Sequence, residues 1–162
     1  MVKKLALFIL IPVLLNTLGC ITPMEMRKKQ LQKKYLGKQI PLKHFTKIQL
    51  NKPCSLALKT FDLEYTIHSL GENQIRFTGT LLYNKARGHG PLNSASILLN
   101  VESLELQVLF TDDTGKINGV EYFYAKSGQH IYAPIPFNVT LPYKKEYKSF
   151  ILDGFIRWRE ST

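Results

Sequence analysis

From about residue 40 onward, apolar and polar side chains alternate along the chain with a period of two. Phe61, Leu63, Tyr65 and Ile67 take one side of "FDLEYTIH", and Asp62, Glu64, Thr66 and His68 take the other. Ile75, Phe77, Gly79, Leu81 and Tyr83 alternate with Arg76, Thr78, Thr80, Leu82 and Asn84. The rhythm returns at Leu104, Leu106, Val108 and Phe110, then at Val120, Tyr122 and Tyr124, and again at Phe137, Val139 and Leu141. It closes with Phe150, Leu152, Gly154, Ile156 and Trp158. Successive side chains of a strand point to opposite faces, so the pattern predicts antiparallel sheet with one face on a core. "FTKIQL" (45–50) and "SLALK" (55–59) are two weaker strand segments.

The punctuation agrees. "GEN" (71–73) and "DDTGK" (112–116) are Gly/Asp/Asn turns of hairpin length, whereas "NKARGHGPLNSAS" (84–96) is long and polar and reads as a loop. About eight short strands predict an all-β fold: an antiparallel β-sandwich, with a small β-barrel as the alternative. "FTGTLLYN", "LELQVLFTDDTGKI" and "PFNVTLPYKKEYKSFILDGFIRW" together resemble the immunoglobulin-like modules of bacterial envelope lipoproteins. That resemblance implies the immunoglobulin-like form of the sandwich and no particular activity.

The N-terminus has a different character. Met1-Val2-Lys3-Lys4 precedes an apolar run from Leu5 to Leu15 that only Pro12 interrupts. The run is too short for the roughly 20 residues that cross a bilayer, and it fits the apolar region of a secretory signal peptide. It ends on Thr17-Leu18-Gly19-Cys20, which resembles the lipobox of bacterial lipoproteins, with Gly19 and Cys20 matching and Thr17 where leucine is usual. The resemblance implies cleavage between Gly19 and Cys20, with a diacylglycerol on the Cys20 thiol and commonly a further acyl chain on its amine. Ile21, rather than an aspartate, implies export to the outer membrane, facing the periplasm, in a Gram-negative host. The alternatives are an ordinary secreted protein with an incidental Cys20, or an uncleaved anchor. The expected organisation is a signal peptide at 1–19, a lysine-rich tether with a helical pattern at 20–43, and a sandwich domain at 44–162.

Charge sharpens the picture once it is divided along the chain. The net charge is +10. Residues 20–59 carry ten Lys/Arg against the single acid Glu25, whereas residues 60–162 carry ten bases and eleven acids. The basicity therefore sits beside the expected anchor, where each cation near an anionic surface gains about 1 kcal/mol. Met24, Leu31 and Tyr35 share one side of a helical wheel. The segment reads either as an amphipathic helix lying on headgroups or as a solvated tether. No nucleic-acid partner is expected, because no aromatic–basic interleaving marks the body.

Candidate chemistry is sparse. His44, His68, His89 and His130 are scattered without zinc-ligand spacing, and neither a phosphate-binding glycine loop nor a nucleophile-elbow motif occurs. Neither a catalytic residue nor a metal or other cofactor is expected. Cys54 in "NKPCSLAL" reads as a small buried residue, with a reactive or intermolecular thiol as the alternative. Asp112/Asp113 read as turn formers, and Glu102/Glu105 lack a third ligand. Lys85, Arg87 and His89, on the glycine-bracketed "KARGHGP", are the candidate contact for an anionic group or partner, against a merely solvated loop. The aromatics Tyr122, Phe123, Tyr124, Tyr132 and Phe137 exceed what one buried face needs, so some are expected at the surface. The expected function is a lipid-anchored, non-catalytic envelope adaptor that meets membrane lipid through Cys20 and an envelope protein partner. A small-ligand or glycan binder is the alternative, and a hydrolytic enzyme stands third.

Overall fold

The computed structural model describes residues 22–58, 61–84, 99–126 and 132–160, with Gly128 and His130. Among these residues a helix, α1 (Pro23–Tyr35), precedes a 3-10 turn at Leu42–His44. Eight strands follow: β1 (Thr46–Lys47), β2 (Pro53–Ala57), β3 (Phe61–Ser69), β4 (Gln74–Tyr83), β5 (Leu99–Thr111), β6 (Ile117–Lys126), β7 (Ile135–Pro142) and β8 (Ser149–Glu160). They form two four-stranded sheets, ordered β1-β8-β5-β6 and β2-β3-β4-β7, and every strand pairing is antiparallel.

The expected all-β sandwich is therefore present, and the strands do not close into the alternative barrel. In one sheet β4 pairs β7, and in the other β5 pairs β8. β6 lies beside β5, and the far side of β8 is filled by β1 from the N-terminal part of the chain.

The inner faces follow the alternation closely. Phe61, Leu63, Tyr65 and Ile67 are buried on β3, as are Ile75, Phe77 and Leu81 on β4 and Leu104, Leu106, Val108 and Phe110 on β5. Phe77 is the hub. Its ring meets Tyr65 and Phe137 edge-on at 5.3 Å within its own sheet, and Phe150 of the opposite sheet at 5.8 Å. Such edge-to-face pairs add about 0.5–1.5 kcal/mol each beyond burial. Gly79 shares that face because nothing larger fits: a Cβ there would lie 2.6 Å from the Glu64 carbonyl oxygen and 2.7 Å from Phe137 Cζ.

β6 departs from the expected phase. Val120 and Tyr122 do not face the space between the sheets; Phe123 does, buried against Phe137 at 5.8 Å. The reason is a second, smaller core on the outer face of the same sheet. There Leu31 of α1, only 5 % exposed, packs on Leu109, Ile117 and Val120, with Tyr35, Ile40, Tyr122 and Ile151 around them. β5 is consequently buried on both faces.

Local chemistry explains the helix. Thr22 caps it: its hydroxyl accepts from the Glu25 N–H, and the Glu25 carboxylate accepts from the Thr22 N–H, a reciprocal capping box that holds the Glu25 carboxyl below its usual range. Pro23 occupies the first turn, where its missing N–H costs nothing, and Lys33 and Lys34 in the last turn suit the negative end of the helix dipole. Gly37, at φ +79°, supplies the left-handed residue that turns the chain back. A helix of 13 residues is marginal alone, so docking on the sheet stabilises it.

Candidate functional site

Three regions carry the expected chemistry, and the described residues illuminate them unequally. Gly19 and Cys20, at the expected lipid attachment, lie outside the described residues, as do Lys85, Arg87 and His89. What the structure adds is the setting on either side of these segments.

The first setting is α1. Leu31 and Tyr35 are turned toward the sheet, together with Lys28 and Gln32 at helical spacing. Lys28 Nζ pairs with Glu121 on β6 at 2.5 Å. Backbone bonds fasten the segment after the helix: Gly37 N–H donates to the Ile117 carbonyl, Ile117 N–H to Lys38, and Ile40 N–H to Gly115, while the Gln39 side-chain amide donates to the Thr114 carbonyl. Neither alternative read from sequence describes this segment. Residues 23–40 are not a free tether, and of the apolar stripe Leu31 and Tyr35 are covered by the sheet while Met24 stays 48 % exposed. What the helix shows outward is Met26, Arg27, Lys29, Gln30, Lys33 and Lys34, all exposed.

The second setting is the root of the 84–96 segment. Asn84 Nδ2 donates to the Asp62 carboxylate at 2.7 Å. Beside it Tyr83 meets Phe61 at 5.6 Å and Tyr132 at 5.3 Å, and Tyr132 meets His130 at 5.3 Å. Burial, and then the neighbouring Tyr132, raise the Tyr83 phenol above its ordinary pKa. This half-buried aromatic group includes one of the five aromatics read as surplus. Of the others, Phe123 and Phe137 are core, Tyr122 is half-buried with its hydroxyl donating to Glu105 at 2.8 Å, and Tyr124 is 42 % exposed.

The remaining candidates have structural placements. Cys54 is half-buried against the main core, with its thiol 3.6 Å from the Lys52 carbonyl oxygen. Its cross-strand neighbour Tyr65 is pushed up to about 12, by burial first and by Cys54 second, so that phenol stays protonated and is no base for the thiol. His68 Nδ1 lies 3.2 Å from Asn51 Oδ1, and His44 sits on the 3-10 turn. Among the described residues, no group of three or more His, Cys, Asp or Glu is arranged to hold a metal ion, and no helix is long and apolar enough to cross a membrane.

Asp112 does what a turn aspartate does. Its carboxylate accepts from the Thr114 hydroxyl at 2.7 Å, the Asn118 amide, and the Thr114 and Lys116 backbone N–H groups. The Thr114 hydroxyl is the largest of the contacts that hold its pKa down at about 2, against an ordinary 3.8. A carboxyl depressed on folding stabilises the fold above its unfolded pKa and loses that contribution as pH falls through the folded one. Stability is therefore expected to decline between about pH 4 and pH 2, and Asp112→Ala to show a shallower decline in the same window by acid titration of circular dichroism.

In comparisons with family profiles, with curated proteins and with solved structures, nothing matches this chain.

Proposed function

We propose that this is a lipid-anchored lipoprotein of the cell envelope, held in the membrane through an acylated Cys20, whose sandwich serves as a non-catalytic adaptor or assembly module. The signal peptide and lipobox-like "TLGC" support the anchor, and Ile21 favours the outer membrane in a Gram-negative host. The observation that carries the reading is the "TLGC" site at the end of the apolar run, together with its place beside the folded body. Only Ile21 separates Cys20 from Thr22, the cap of a helix packed on the sheet. An acyl chain on Cys20 would thus hold the folded body itself against the bilayer, and confinement to a surface raises the effective concentration of a partner without new contacts.

An envelope protein partner would meet an exposed strand edge or the 84–96 segment. Three of the four edges are short or interrupted, β1 with two residues, β2 with five and β7 carrying Pro136 and Pro142, whereas the β6 edge runs for ten residues. A small-ligand or glycan binder is the rival. A barrel cavity would have served it; with two open sheets, what supports it is the Tyr83, Tyr132 and His130 group. Membrane retention of a Cys20→Ser variant tests the anchored reading. Release with the fold intact supports it, and retention after a salt wash overturns it.

A further inference from the structure

We propose that the outward face of α1 is a seat for anionic lipid headgroups, and that this contact lays the sandwich flat, with the β1-β8-β5-β6 sheet toward the bilayer. The inference rests on the membrane-anchored reading and adds a contact to it that needs no acyl chain.

Helical spacing divides most of the side chains, although Met24 falls on the sheet side and is still 48 % exposed. Lys28, Leu31, Gln32 and Tyr35 take the sheet side, with Lys28 engaged by Glu121. Met26, Lys29, Gln30, Lys33 and Lys34, spaced i, i+3, i+4, i+7 and i+8, form the opposite row, and Arg27 flanks it. The helix has one acid, Glu25, and its carboxylate is tied into the capping box at Thr22. Lys38, also exposed, continues the charge beyond the helix end.

The dock makes this row a fixed surface rather than a cloud of charge. Leu31 is clamped by Leu109, Ile117 and Val120, and backbone bonds at Gly37, Lys38 and Ile40 hold the end of the segment, so the helix cannot roll on its axis; Lys34, at the margin of the row, has its ammonium 4.7 Å from the centre of the Tyr35 ring. Met26, 52 % exposed, stands in the middle of the cations. An apolar side chain ringed by lysines suits the boundary between headgroups and acyl chains, whereas a soluble polyanion offers charge alone. With the helix lying along the surface, the β2-β3-β4-β7 sheet faces away from the membrane. Its outer face, including the exposed Glu64, His68 and Arg76, is then the side open to a partner.

The experiment uses the mature chain from residue 20 carrying Cys20→Ser. Every described element lies after residue 21, so this chain contains all of them and no lipid. Cosedimentation is measured with phosphatidylcholine vesicles and with vesicles containing about one third phosphatidylglycerol. The expected result is binding to the anionic vesicles alone, abolished at about 1 M salt, where screening acts over roughly 3 Å. Lys29→Gln/Lys33→Gln/Lys34→Gln is expected to weaken binding about 100-fold, at roughly fivefold per lysine. Lys144→Gln/Lys145→Gln/Lys148→Gln, at the turn between β7 and β8, is expected to leave it unchanged. Equal binding to neutral vesicles, or equal losses in the two triple variants, would overturn the proposal. Because no acyl chain is present in any arm, failure here leaves the Cys20 anchor standing, and failure of the anchor leaves this result standing.

Discussion

Cys20→Ser, exported behind a leader with an ordinary small-x-small cleavage site, is expected to leave the membrane fraction almost completely after a high-salt wash. The wild-type chain is expected to stay. A single acyl chain binds a bilayer only marginally, and two or more together anchor stably, so removing the thiol removes the stronger of the two attachments. The basic segment then remains, at about 1 kcal/mol per lysine near an anionic surface. That contribution is screened at high salt, which is why the wash separates the two effects. Circular dichroism and melting temperature are expected to be unchanged, because the described fold begins with the Thr22 cap. A variant that still sediments after the wash would show that something other than the acyl group holds the chain.

Gly79→Ala is expected to produce a large loss of stability for a methyl-sized change. In most strands the same substitution is neutral or helpful, because alanine has less freedom to lose on folding. Here the new Cβ would stand 2.6 Å from the Glu64 carbonyl oxygen, which is backbone of the paired strand and cannot swing aside. On its other side it would stand 2.7 Å from Phe137 Cζ. Phe137 in turn packs on Phe77, the hub between the sheets, so its displacement would propagate into the core. Overpacking of this kind costs about 1–3 kcal/mol, and the backbone contact places Gly79 at the upper end. Thermal unfolding is expected to fall by about 10 °C, at roughly 4 °C per kcal/mol. An unchanged or raised midpoint would show that β3 and β4 can separate locally at this point.

The legible parts of the fold are those with one wet face. On β3, β4 and β7 a buried residue alternates with a more exposed one, so Phe61 to Ile67, Ile75 to Leu81 and Phe137 to Leu141 announce both strand and inward side. β6 misleads because both its faces are covered. Val120 and Tyr122 alternate correctly, but they point to the helix, while Phe123 points to the main core. The trace of this in the sequence is the unbroken apolar run Val108-Leu109-Phe110, since a strand buried on both faces loses its alternation. Leu109 is the residue that belongs to the second core. Leu31 and Tyr35 are legible as an apolar stripe, but a stripe does not name what covers it; a sheet and a bilayer offer the same apolar surface. Cys54 and His68 look chemically open in sequence because only packing shows that their neighbours are a buried phenol and an asparagine.

The most direct test of the anchored reading is the intact mass of the protein taken from the membrane fraction of a bacterial host. A chain beginning at Cys20, heavier than its residues by the mass of a diacylglycerol and a further acyl chain, is the predicted result. A chain cut elsewhere, or one beginning at Cys20 without added mass, would contradict it.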